Sequence, residues 1–133
     1  MTVAVLDANV FVSALTGSKN CLRILKAVDN GRIAAISSDD LAKELLSVLA
    51  EPKFELSAFD IDEVGGFLEA KVKFVNPSLN VSDCRDAKDN AVLECALEGK
   101  ADCVVTGDKD LLCLDPYRGI RIFTPAEFLK LLK

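Results

Sequence analysis

The sequence predicts an α/β fold built on a parallel sheet of about five strands, and two patterns predict it. Short apolar runs alternate with longer stretches of helical periodicity along the 133 residues, as in a chain of βαβ units. Two of these runs also end in acids. Val3-Ala4-Val5-Leu6 leads into Asp7-Ala8-Asn9, and Cys103-Val104-Val105 leads into Thr106-Gly107-Asp108-Lys109-Asp110. Continuous apolar runs of this length read as strands buried on both faces. Open α/β sheets bind ligands beyond the carboxyl ends of their strands, where the strand order reverses. Two carboxylates placed there repel unless a cation lies between them, so the pattern points to a hard-metal site.

The strands expected are 2–6, 33–36, 73–76, 103–106 and 120–123. A helix over 20–29 follows Asn20 as its cap and stops at the turn Asn30-Gly31. A second, over 38–50, opens with Ser37-Ser38-Asp39-Asp40 and ends before Pro52. A third starts at Ser57, with Asp60 three residues on to complete a capping box. Gly65-Gly66 inside it costs about 1 kcal/mol per glycine relative to alanine, so a kink or break is expected there. A helix over 86–98 ends at Gly99, and a short one over 125–132 follows Thr124-Pro125. No repeat, linker or low-complexity segment interrupts the pattern, which predicts one domain over 1–133.

Composition removes several function classes. There is no histidine, so a Ser-His-Asp triad, a Cys-His pair, a histidine-ligated zinc and a histidine-based ribonuclease are excluded. The five cysteines are odd in number, without CxxC spacing and mostly within apolar segments, the pattern of reduced, buried thiols. No apolar run approaches the roughly 20 residues that span a bilayer, and the N-terminus has no signal-peptide pattern. A cytoplasmic protein with no membrane partner is expected. The net charge of −5 argues against a broad electrostatic grip on nucleic acid. Bound cations reverse the local sign, however, and Arg85, Lys88 and Lys109 lie close in sequence to the acidic motifs.

Helical periodicity decides which other acids can join the site. On helix 38–50 the apolar stripe is Leu41, Leu45, Val48 and Leu49, and Glu44 lies at its border. There it is either a solvated flank of the core or a carboxylate aimed into a cleft. On helix 86–98 Asp89 falls among Val92, Leu93 and Ala96, while Glu94 and Glu98 take the solvated face. A buried, unpaired carboxylate costs several kcal/mol. Asp89 is therefore either a first-turn group receiving backbone N–H donors, with Asp86 as the cap, or one of a set of metal ligands. Gly-Asp-Lys-Asp and Asp7-Ala8-Asn9 also have ordinary readings, as turn and corner chemistry.

Together these residues resemble the PIN-domain nucleases, among them the toxin components of toxin–antitoxin systems. The resemblance is carried by Val5-Leu6-Asp7-Ala8-Asn9-Val10-Phe11-Val12-Ser13, by Ser37 to Leu45, and by Cys84-Arg85-Asp86-Ala87-Lys88-Asp89-Asn90 with Leu93 to Leu97. It continues through Ala101 to Leu112 and Thr124 to Leu129, and so covers almost the whole chain in order. It implies a three-layer α/β/α sandwich in which the strands ending at Asp7 and Asp108 are neighbours. It also implies an acidic pocket for Mg²⁺ or Mn²⁺ formed by Asp7, Glu44, Asp89 and Asp108. Asn9 and Thr106 would be supporting polar residues there and Asp110 an extra acid. Ala87 and Ala91 depart mildly from the family's habits, away from the chemistry.

The function expected is metal-dependent hydrolysis of RNA phosphodiester bonds, and the resemblance implies cleavage that leaves a 5′ phosphate. Asp7 and Asp108 are the leading ligands and Asp89 completes the set. Glu44 binds a second metal or orients the attacking water, while Arg85, Lys88 and Lys109 flank the substrate channel. The resemblance also implies a homodimer, and the other partner expected is a cognate antitoxin that places a basic side chain in the acidic pocket. Two rivals remain. One is a phosphatase, against which Asn9 breaks the Asp-x-Asp pattern. The other is a non-catalytic PIN-fold protein that keeps the fold for a protein partner.

Overall fold

The computed structural model describes residues 1–132; Lys133, the last residue of the expected domain, lies outside them. The chain runs β1 (Thr2–Leu6), α1 (Ala8–Leu15), α2 (Lys19–Asp29), β2 (Ile33–Ser37), α3 (Asp39–Leu49), α4 (Ala58–Lys71), β3 (Val72–Phe74) and α5 (Asn90–Glu98). It ends with β4 (Cys103–Val105), α6 (Lys109–Leu112), β5 (Arg121–Phe123) and α7 (Pro125–Leu131), with 3₁₀ turns at Pro52–Phe54 and Ala87–Asp89. All five expected strands are present. They form one parallel sheet in the order β3-β2-β1-β4-β5. The chain steps outward from β1 to β3, then crosses back to lay β4 on the other side of β1. The strand order therefore reverses between β1 and β4.

Side-chain alternation along the strands builds two cores, one on each face of the sheet. Ala4 and Leu6 of β1, Ile33 and Ala35 of β2, and Cys103 and Val105 of β4 pack with α1, α2, α3, α4 and α7. Val5, Ile36 and Val104 point the other way, onto α5 and α6. This is the three-layer α/β/α sandwich. α5 lies so close to β2 that a β-carbon on Gly99 would run into the Ile36 side chain.

Capping explains most boundaries. Ser57 with Asp60 and Thr124 with Glu127 form complete capping boxes, and Ser38 accepts from the Leu41 N–H. Four expectations need correction. The cap of α2 is Ser18, not Asn20, because Gly17 at φ 118° turns the chain out of α1 and leaves Ser18 extended to accept from the Cys21 N–H. α4 runs unbroken through Gly65-Gly66, since Val64 and Leu68 are buried against the core and their packing outweighs the glycines' low propensity. Asp86 caps the 3₁₀ turn that precedes α5, by accepting from the Lys88 N–H, and the α-helix proper begins only at Asn90. Glu94 and Glu98 are not idle on a solvated face: Glu94 accepts from the Val81 N–H at 2.9 Å and Glu98 from the Ser78 N–H at 3.2 Å. With Asn90 accepting from the Cys84 N–H at 2.8 Å, they fasten the long crossover after β3 to α5. α1 and α6 went unassigned in the sequence, and each starts directly after an acid of the site.

Candidate metal centre

Parallel pairing of Leu6 with Val105 sets the ends of β1 and β4 side by side, and the Asp7 N–H donates to the Val105 carbonyl at 3.0 Å. Asp7 and Asp108 thus leave the sheet at one place. Asp7 caps α1 through Oδ1, which accepts from the Ala8 N–H at 2.7 Å. Its Oδ2 accepts from the Thr106 hydroxyl at 2.7 Å and from Asn9 Nδ2 at 3.0 Å. The fully buried Thr106 oxygen also accepts from the Asp108 N–H at 3.0 Å, and Asn9 Oδ1 from the Gly107 N–H at 3.3 Å. One small polar network therefore ties both strand ends together. Asp108 in turn caps α6, accepting from the Asp110 N–H at 2.9 Å.

The third acid arrives from the other side of the sheet. Asp89 ends the 3₁₀ turn before α5, and its side chain makes no capping hydrogen bond. The alternative in which backbone donors explain its burial therefore does not describe it. One carboxylate oxygen each from Asp7, Asp89 and Asp108 lies within 4.8 Å of the others. Ion pairs among the described residues involve Asp29, Asp83 and Asp115, and none reaches these three acids.

The charges are correspondingly ill at ease. Burial pushes the Asp7 carboxyl above its ordinary range, against the opposing pull of the Thr106 and Ala8 donors, and the charges of Asp108 and Glu44 push it further. Asp89 is pushed up to about 8, first by burial, then by sharing a hydrogen bond with Asp108 and by the charges around it. A divalent cation among these oxygens would reverse the sign of every such repulsion. The donor set fits one: three carboxylates, all hard oxygen, with room left for water, suit Mg²⁺ or Mn²⁺.

The remaining expected residues separate. Glu44 is exposed on α3 and lines the cleft beside the cluster, outside the group of three. The Asp110 side chain is likewise outside it. Arg85, Lys88 and Lys109 are all exposed, and of these Lys88 lines the cleft. Asn9 and Thr106 meet Asp7 directly. One neighbour escaped the sequence: Cys84 is buried, with Sγ 4.0 Å from Asp89 Oδ2 and 3.7 Å from the Asp110 carbonyl oxygen. Its thiol is raised by burial. No spacing rule marks it, because the crossover that brings it there has no regular structure.

The acids follow the order and fold of a known family. The PIN domain family matches residues 3–110, which include all three clustered acids. The chain belongs to the PIN-domain family. This PIN domain is 31% identical, over 138 aligned residues, to the uncharacterized protein MJ1680 of Methanocaldococcus jannaschii, covering 95% of this chain and 88% of that one. Its fold resembles a chain of VapBC2 from Rickettsia felis, a structure with a bound promoter DNA fragment, at a TM-score of 0.62 and 12% identity. It also resembles a chain of FitAcB from Neisseria gonorrhoeae, at a TM-score of 0.55 and 14% identity. Both matches cover 92% of this chain and 98% of the other. No helix of the described residues is long and apolar enough to cross a membrane.

Proposed function

We propose that this PIN domain is an endoribonuclease dependent on Mg²⁺ or Mn²⁺, the toxin of a toxin–antitoxin pair, working in the cytoplasm as a homodimer. The observation that carries this reading is the convergence of Asp7, Asp89 and Asp108 at the strand-order reversal, with no ion-pair partner among the described residues. These three would hold the metal. Bound there, the ion supplies Lewis-acid stabilisation of the phosphate and a more acidic water. Asn9 and Thr106 lock the Asp7 carboxylate in one orientation, as partners beyond the ligands do at metal sites. Glu44, at the rim, would hold a second ion or orient the attacking water, and Asp110 would be an extra acid. Arg85, Lys88 and Lys109 flank the RNA backbone. A cognate antitoxin would silence the site by placing a basic side chain among the same carboxylates.

The test is incubation with labelled single-stranded RNA, single-stranded DNA and a generic phosphomonoester. RNA should be cut to products with 5′ phosphates, the activity should vanish with EDTA, and Mg²⁺ or Mn²⁺ but not Ca²⁺ should restore it. Cleavage indifferent to chelation, or turnover of the phosphomonoester alone, would overturn the reading.

A further inference from the structure

The carboxylates occupy only one end of the cleft. From them a cavity of about 310 Å³ runs between α1 and α3 towards the 3₁₀ turn that carries Phe54. Its floor is Phe11 and Leu45, and its walls are the half-buried Val12, Leu41, Val48 and Phe54. A concave apolar surface continuous with a charged site is the usual form of a ligand pocket. Cations stand at both ends of the slot. Lys88 lines it beside the carboxylates, and Lys53 lies over the Phe54 ring, 5.1 Å from its centroid.

We propose that the slot between α1 and α3 is a nucleobase pocket, which receives one unstacked base of a single-stranded RNA whose phosphate lies at the carboxylate end. The proposal rests on the nuclease reading for the position of that phosphate, but the slot itself is independent of metal. Apolar walls ending in the Phe54 ring suit a π-faced base, the way single-stranded RNA is gripped elsewhere. The cations fit a strand as well, since a base held between two backbone phosphates places negative charge at both ends of the slot. A purely apolar peptide would leave Lys53 and Lys88 unmatched. A duplex keeps its bases stacked inside and offers the slot none, so the slot selects an unpaired nucleotide.

The experiment follows the methyl resonances of Val12, Leu41 and Val48 in the full-length protein, titrated with adenosine, with ribose, and with AMP and ribose 5-phosphate in the presence of Mg²⁺. Adenosine should shift these methyls and ribose should not. AMP should bind at least about tenfold more tightly than ribose 5-phosphate, the size of one base–aromatic contact. Filling the slot with Val48→Phe, or from the opposite wall with Val12→Phe, should abolish that difference and leave Mn²⁺ binding unchanged. Either variant serves once its melting curve shows it folded. Lys53→Ser should weaken oligoribonucleotide binding and reduce its salt slope by about one, without touching AMP. Equal binding of AMP and ribose 5-phosphate overturns the proposal. So do methyls that ignore every nucleoside but respond to an arginine-containing apolar peptide. Adenosine binding with no Mn²⁺ affinity would keep the pocket and remove the metal reading.

Discussion

Two groups of acids in this molecule are built from the same residue type and live under opposite conditions. At the corner before β5, Asp115 accepts from Arg121 Nε at 3.0 Å and Nη2 at 3.2 Å, and from the Ile122 N–H at 2.7 Å. The arginine holds its carboxyl below the usual range, against a smaller opposing effect of burial. Asp83 nearby is met by the Tyr117 hydroxyl and by Arg118. At the carboxyl ends of β1 and β4, three acids share one small space with each other and with no cation among the described residues, and burial and mutual repulsion push Asp7 and Asp89 up. The first group has its charges matched by partners. The second is tolerated by the fold, and stored repulsion of this kind marks a site prepared for something else.

The sharpest test of that contrast removes one charge from the cluster. Asp89→Asn should lower Mn²⁺ affinity at least about tenfold and, above about pH 8 where Asp89 is ionised, raise the melting temperature of the metal-free protein, because a ligand and a repulsion disappear together. It is a cleaner probe than Asp7→Asn, since Asp7 also caps α1 and receives Thr106 and Asn9. Calorimetric titration with Mn²⁺ and a melt in EDTA read both effects; a lower apo melting temperature with unchanged affinity would make Asp89 a structural residue.

A weaker but broader effect is expected from pH. In the unfolded chain, Asp7 and Asp89 release their protons near 3.8, whereas in the folded protein Asp89 holds its proton to about 8 and Asp7 is raised as well. The folded state therefore binds more protons, and the metal-free protein should lose stability as pH rises from about 4 to about 8. Saturating Mg²⁺ should cancel that decline. Asp115 works the other way: its contribution is present above its unfolded value of 3.8 and is lost as pH falls through its lower folded value. Melting curves from pH 3 to 8, with and without Mg²⁺, separate the two acids.

Smaller still is the cost at the paired corner. Asp115→Asn should destabilise by about 1 kcal/mol, through the weakened bond to the Ile122 N–H, with Mn²⁺ affinity unaltered. The smallest effect is an uncharged control with no part in either group. A β-carbon at Gly65 or Gly66 would meet nothing, so Gly65→Ala and Gly66→Ala should each stabilise α4 by about 0.5–1 kcal/mol. Chemical denaturation checks both, and a loss at either glycine would mean that the helix needs its flexibility.

The sequence carried the fold through its strand runs and caps, because those depend on neighbours a few residues away. Ser57, Thr124 and the turn at Asn30-Gly31 were legible for that reason. The switch point was legible too, since the apolar runs ending at Leu6 and Val105 both lead into acids. Gly65-Gly66 misled because propensity is local while the burial of Val64 and Leu68 is not. Glu94 and Glu98 misled because a helical wheel cannot show that an irregular crossover lies along that face. Asp7, Asp89 and Asp108 were each nominated from the residues and do meet. Glu44 could be placed only at a border, where a long side chain's direction is set by what surrounds it, and the structure leaves it exposed beside the cleft.

The pairing of β1 with β4 has a consequence in time. Asp7 and Asp108 stand 101 positions apart in the chain (108 − 7), and only β4 docking beside β1 brings them together. Such a contact between distant parts of the chain forms late, after local helices and hairpin-range contacts. A growing chain that has already folded β1, β2 and the helices around them therefore carries half a site. The carboxylate cluster is completed only by that docking step, so a chain arrested before β4 pairs with β1 has the fold's first strands and helices without the site.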